Sequence, residues 1–178
     1  TGRPDEAVQR ALAFALARKA RPVLHRPQDY KPDRLQPIVE GLDKLVDLRP
    51  VEISENLYLD ILSDFASGAL SLGERGGHIK WLSKALDARQ RYLDAVDRTT
   101  DPISWGAAQQ EIGRALTALG EREGARDKLE EGASRLRLAM DALRSTDSLQ
   151  QAEVALRALQ RAEQTLQQRR RVGLRWPG

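Results

Sequence analysis

The chain has 178 residues, 40% hydrophobic and 31% charged, with 29 Lys+Arg against 26 Asp+Glu, enough for one domain or a short array of repeats. No cysteine is present, which excludes disulfides, thiolate zinc sites and cysteine nucleophiles, and two separated histidines, His25 and His78, offer no cluster for a metal. Aromatics are scarce, no apolar run approaches a membrane span, and no signal-like block stands out; the chain reads as soluble, cytoplasmic and all-α. It starts at Thr1, without an initiator methionine, and is expected to be part of a longer protein.

Apolar spacing predicts seven helices in chain order. The first covers 5–20 with Val8, Leu12 and Ala15 on one stripe and Phe14 beside it. Pro22, Pro27 and Pro32 then predict a non-helical connection over 21–32. The second helix, 33–48, places Leu35, Val39, Leu42 and Val46 together, with Pro37 confined to its first turn or shifting its start. The third, 52–74, carries Ile53, Leu57, Ile61, Phe65, Ala69 and Leu72 and ends at Gly76-Gly77. The fourth, 78–98, has two stripes, one through Leu82, Leu86 and Leu93 and one through Trp81, Ala85, Ala88 and Tyr92. Asp101-Pro102 is a cap and first-position pair for the fifth helix, whose stripe is Trp105, Ala108, Ile112, Leu116 and Leu119. The sixth, 123–144, aligns Leu129, Ala133, Leu136, Met140 and Leu143. The seventh runs from about Thr146 to Arg169-Arg170-Arg171 with Leu149, Ala152, Leu156, Leu159 and Leu166 in three-four spacing.

The chain also repeats itself. Ala69-Leu70-Ser71-Leu72-Gly73-Glu74-Arg75 returns as Leu116-Thr117-Ala118-Leu119-Gly120-Glu121-Arg122, an offset of 119 minus 72, or 47. At that offset Tyr58 falls on Trp105, Phe65 on Ile112, Ala66 on Gly113 and Leu82 on Leu129, and Leu35, Val39 and Val46 fall on Leu82, Leu86 and Leu93. These residues, with Trp105-Gly106-Ala107-Ala108-Gln109 followed by the 112–122 stretch and Leu129-Glu130-Glu131-Gly132-Ala133, resemble a tetratricopeptide-like array in the long-repeat form seen in many bacterial proteins. The resemblance implies an antiparallel helix-pair array, an α-solenoid: a degenerate pair and proline-rich connection in 1–50, two pairs in 51–145, a capping helix in 146–172 and a tail in 173–178. It implies that Gly113 lets paired helices approach, that Ile112, Leu116 and Leu136 fill the space between them, and that Gly132 and Ala139 receive the next helix.

Its implied function is a scaffold that binds a protein or peptide, without catalysis, cofactor or metal. The resemblance points to a concave face carrying Asp60, Ser63, Ser67 and Ser71 from one repeat and Gln110, Arg114 and Thr117 from the next. All seven lie off the apolar stripes and are expected to face outward, with Arg114 offering a planar fork to a carboxylate. Glu121, Glu123, Glu130 and Glu131 alternate with Arg122, Arg126 and Lys128, which reads as surface ion pairing rather than an acid/base pair. Gly73-Glu74-Arg75-Gly76-Gly77 lacks the lysine and spacing of a phosphate loop and reads as a turn, with His78 at a helix start. The alternative reading is a helical regulatory domain for nucleic acid or a small ligand, touched by Arg169, Arg170 and Arg171 with Arg175 and Trp176 after them. A net charge of only +3 and the lack of a recurring basic stripe disfavour nucleic acid. Past Leu159 the seventh helix is expected to leave a self-association seam, since less of the array remains to cover it.

Overall fold

A computed structural model describes residues 4–48 and 53–171, the side chains of 4–10, 12, 13, 48 and 171 excepted. Among the described residues there are seven α-helices and no strand: α1 (Pro4–Leu24), α2 (Pro32–Leu48), α3 (Glu55–Gly76), α4 (Ile79–Asp94), α5 (Pro102–Glu123), α6 (Arg126–Ser145) and α7 (Leu149–Arg171). They divide into two compact units, Thr1–Ala88 and Arg89–Gly178, the boundary falling inside α4.

The first helix is longer than its sequence suggests. Pro22 sits inside α1, and a 3-10 turn, Pro27–Asp29, occupies part of the expected connection. A proline in the last turn removes its own N–H bond and sets its ring against the carbonyl four residues back, yet the helix runs on to Leu24 and His25 N–H donates to the Arg21 carbonyl at 3.0 Å. Burial of Ala20 and Leu24, each 2% exposed, outweighs that loss. Of the expected stripe, the Val8 and Leu12 side chains lie outside those described, and Ala15 is exposed. Pro37 lies inside α2, beyond its first turn, rather than confined to it. The α2 stripe is as expected, with Leu35, Val39, Leu42 and Val46 all buried. Gly68 of α3 is where these elements meet: a Cβ there would lie 2.7 Å from both Leu24 and Val39, so only glycine admits α1 and α2 at that depth.

Helices α3 and α5 are copies displaced by 47 residues. Ser54 accepts the Leu57 N–H at the start of α3, and Asp101 accepts the Ser104 N–H at the start of α5. Each ends on a left-handed glycine, Gly77 at φ 76° and Gly124 at φ 70°, whose N–H returns to the Gly73 or Gly120 carbonyl. Ten of the eleven buried positions in α3 recur as buried positions in α5. Tyr58 and Trp105 are both fourth residues of their helices, but Tyr58 is buried whereas Trp105 is half-buried beneath the Arg98 guanidinium, 4.8 Å from the ring centroid.

The turn after each helix is short, so the next helix packs back antiparallel. In the first unit a Cβ on Gly73 would lie 2.6 Å from the Leu82 side chain; 47 residues later one on Gly120 would lie 2.8 Å from Leu129. In the second unit this contact belongs to a ladder. Gly106, Gly113 and Gly120, seven residues apart on α5, meet Leu143, Leu136 and Leu129, seven apart in the reverse direction on α6. Gly113 and Gly132 each face the other's carbonyl, 2.9 Å from where a Cβ would stand. Gly132 is thus filled by α5, not by the next helix as expected. Its neighbour Ala133, with Leu136, takes Leu159 and Ala162 of α7 instead.

Helix α7 packs through small residues. Ala152, Ala155, Leu159 and Ala162 are its buried stripe, whereas Leu149 is 66% exposed and Leu156 and Leu166 are half-buried. Past Leu159, where the self-association seam is expected, Ala162 is fully buried and Arg161 and Thr165 both bond the Glu121 carboxylate on α5, Arg161 at 2.5 and 2.9 Å, while Leu166 stays half-buried.

Two charged groups carry a pH signature. Lys84 of α4 donates to Asp43 of α2 at 2.6 Å, and that bond, reinforced by Asp47 at 3.6 Å, holds its pKa above the ordinary 10.5 despite partial loss of water. Its contribution to the first unit is complete below 10.5 and is lost as pH rises through the raised value. Asp97, in the turn before α5, accepts the Thr100 and Thr99 backbone N–H groups at 3.0 and 2.7 Å, which holds its pKa below the ordinary 3.8. That contribution is complete above 3.8 and is lost as pH falls through the lowered value. Side-chain NMR titration should place the Lys84 midpoint above and the Asp97 midpoint below those of exposed residues of the same type; a coincidence in either would refute the corresponding bond.

Candidate functional site

The first unit contains an open cavity of about 660 Å³ between α1 and α3. Its apolar lining is Phe14, Ala17 and Pro22 from α1 and Leu57 from α3. Phe14 is 60% exposed, a large aromatic left facing the opening. The polar lining is segregated by helix: Arg18 and Arg21 belong to α1, with His25 and Arg26 just past its end, while Asp60 and Asp64 belong to α3. An ion pair crosses the opening, Arg21 to Asp60 at 3.2 Å, with both side chains about half exposed.

Helical spacing explains this lining. On α1, Phe14, Arg18 and Arg21 follow in steps of four and three, with His25 four residues on, just past the helix end; on α3, Leu57, Asp60 and Asp64 follow in steps of three and four. Each set forms one strip, and the strips form the two walls. Sequence reasoning found Asp60 and missed the others, since the 5–20 stripe was drawn through Val8, Leu12 and Ala15. The available signal was the strip through Phe14, with three basic residues at seam spacing.

The sequence-predicted residues fall into three groups. Asp60 lines the cavity, and half-buried Ser63 and Ser67 lie beside and beyond it on α3. Ser71, expected to face outward, is only 7% exposed. One turn further along the same face, Arg75 donates to the Pro27 and Tyr30 carbonyls at 3.1 and 2.7 Å, which brings the connection after α1 over this end of α3. Thr117, also expected to face outward, is 5% exposed; it donates to the Gly113 carbonyl at 2.8 Å and packs against Gly132 of α6. Both corrections share a cause. Residues 68–73 of α3 and 115–120 of α5 are buried without a break, so lying off the main stripe does not mean exposure there. Gln110 and Arg114 are half-buried on α5, in the second unit.

The repeat position of cavity residue Asp64 is Glu111 in α5. Glu111 binds the Arg89 guanidinium at 2.5 Å, with the arginine side chain 5% exposed and lying over Tyr92. An acidic position that lines an opening in one unit is therefore closed by a buried arginine in the other.

No family model, curated protein or solved structure matches the chain.

The basic end of α7 is engaged with acidic neighbours. Arg169 donates to the Glu121 backbone carbonyl at 2.9 Å, and Arg170 lies 4.0 Å from the Glu130 carboxylate. The Arg171 side chain, Arg175 and Trp176 lie outside the described residues. Among the described residues no group of three His, Asp or Glu side chains is placed to hold a metal ion, and no helix is long and apolar enough to cross a membrane. His78 is exposed just before α4, its carbonyl accepting the Trp81 N–H at 3.1 Å.

Proposed function

We propose that the chain is a protein-interaction module built of tetratricopeptide-like helix pairs, which holds a peptide segment of a partner and catalyses no reaction. The observation that carries this reading is the open cavity on α1 and α3, the leading helices of two successive pairs. A repeated pair exposes the same face of each leading helix, and a cavity there lined by apolar side chains, with basic groups from one helix and acidic groups from the other, suits a chain segment better than a reaction. In the first unit Asp60, Ser63 and Ser67 of α3 offer the polar contacts; in the second, Gln110 and Arg114 of α5 offer their own. Ser71 and Thr117, being buried, support the helices rather than touch the partner.

The alternative reading, a regulatory domain that uses its basic end on nucleic acid, is weakened because Arg169 already donates to the Glu121 backbone carbonyl. A partner isolated from native extract separates the two. Arg114→Glu and Asp60→Lys should each lower its affinity about tenfold or more while leaving helical content unchanged, and Arg169→Gln with Arg170→Gln should leave binding intact. Loss of the partner only in the α7 variant, with retention of the parent on nucleic acid and steep salt dependence, would overturn the proposal.

A further inference from the structure

We infer that the α1/α3 cavity is a site for a small apolar molecule carrying one negative charge, of the class of medium-chain carboxylates. The inference goes beyond the holding of a partner segment and does not depend on it. Helices α1 and α3 touch where Leu24 meets Gly68, at which a Cβ would already lie 2.7 Å from the leucine. Just past that contact Arg75 ties the connection after α1 onto α3 through the Pro27 and Tyr30 carbonyls. From there the lining runs back to Phe14 on α1 and to Leu57 on α3, so the cavity is open toward these two and closed toward Gly68. A chain laid along both helices runs into the closed end, whereas a small molecule stops short of it. The volume of about 660 Å³ lies within the roughly 300–1,000 Å³ usual for small-molecule sites.

At the open end the exposed ring of Phe14 and the half-buried Leu57 keep apolar surface in water that a hydrocarbon body would cover. Further in, the lining is charged and unbalanced. Counting His25 as neutral, three guanidiniums, those of Arg18, Arg21 and Arg26, stand against the two carboxylates of Asp60 and Asp64, which leaves one surplus positive charge. Asp60 is already matched by Arg21 at 3.2 Å, and Asp64 is engaged as well. The side chains of Arg18 and Arg26 have no partner among the described residues. The bias is written in the sequence: residues 7–28 carry five Arg or Lys and no Asp or Glu, in a chain whose net charge is only +3.

The count selects the charge of the ligand. A carboxylate cancels the surplus and fits the planar fork of a guanidinium through two parallel hydrogen bonds. A phosphate group brings a second negative charge that nothing in the lining balances and that Asp60 and Asp64 repel, and a nucleic acid, with its closely spaced phosphates, does so more strongly. A cation meets the three guanidiniums. A neutral hydrocarbon covers Phe14 and Leu57 but leaves Arg18 and Arg26 unanswered.

The test uses the intact chain, labelled with ¹⁵N, and four probes that share one hydrocarbon body: octanoate, octanol, octylamine and octyl phosphate. Octanoate should shift the Phe14 and Leu57 amides and bind at least about tenfold tighter than octanol or octylamine, and tighter than octyl phosphate. Changing Arg18 and Arg26 together to Gln should weaken octanoate about tenfold and leave octanol where it was. Both side chains are exposed, so the variant should keep the parent's circular dichroism, and the order of the four probes on the parent stands without it. A short peptide ending in leucine, with its terminus free or amidated, separates a small molecule from a chain end. Equal binding of octanoate and octanol overturns the inference, as does tighter binding of octylamine or octyl phosphate. Tighter binding of the free-ended peptide than of octanoate assigns the cavity to a chain end and also overturns it. Absence of shifts at Phe14 and Leu57 with every probe does the same, and leaves open whether Arg114 holds a partner.

Discussion

Gly113→Leu should lower the stability of the second unit by about 3 kcal/mol, the upper end of what overpacking costs. Even the first carbon of a side chain at this position would stand 2.6 Å from Leu136 and 2.9 Å from the Gly132 carbonyl. Leu136 is fully buried and also packs against α7, so it has nowhere to withdraw, and the backbone carbonyl can give way only if the helices separate. The gain in helix propensity on replacing glycine, at most about 1 kcal/mol, does not offset this. Thermal and urea denaturation followed by circular dichroism would check the effect. Gly77→Ala is a useful contrast: a Cβ there meets nothing within 4 Å, and the loss, about 1 kcal/mol, comes only from the left-handed backbone at φ 76°. Parent-like stability of Gly113→Leu would contradict the close α5/α6 contact.

The second large effect concerns Arg89 and Glu111. Removing either partner alone should cost about 3 kcal/mol, the lower end of the range for breaking a buried pair, because Glu111 keeps 21% of its side-chain surface in water. The charge left behind in Glu111→Leu is the 5%-exposed guanidinium, so that single change should be the more damaging. Replacing both with leucine should recover much of the loss, since no charge is then stranded. A double-mutant cycle in urea measures this coupling. Additive losses would mean that the two side chains do not depend on each other.

The repeat was legible because it is written in groups with local consequences. Ser54 and Asp101 cap helices, Gly77 and Gly124 end them, and Gly73 and Gly120 admit Leu82 and Leu129, all at one offset. The wider glycine ladder was equally present in the sequence, as Gly106, Gly113 and Gly120 against Leu129, Leu136 and Leu143, but reads as loose amphipathicity until the two helices are set antiparallel. Other features depend on what covers a helix rather than on the helix itself. Pro22 is tolerated because Ala20 and Leu24 find a buried site, which no local rule reveals. Ser71 and Thr117 carry polar side chains off the apolar stripes yet are buried, and only the connection after α1 and the approach of α6 explain that. For α7 the expected stripe holds at Ala152 and Leu159, but Ala155 and Ala162 rather than Leu156 and Leu166 complete the buried face. Of the cavity, Asp60 was within reach; its opposite wall was not, since α1 matches the repeat poorly.

Hydrogen exchange on the chain alone and bound to its partner tests the central claim most directly. The account predicts new protection of amides along α1 and α3 around Phe14, Arg21, Leu57 and Asp60, and along α5 around Gln110 and Arg114, with α7 unchanged near Arg169 and Arg170. Protection confined to α7, with the α1 and α3 amides exchanging as in the free chain, would contradict it.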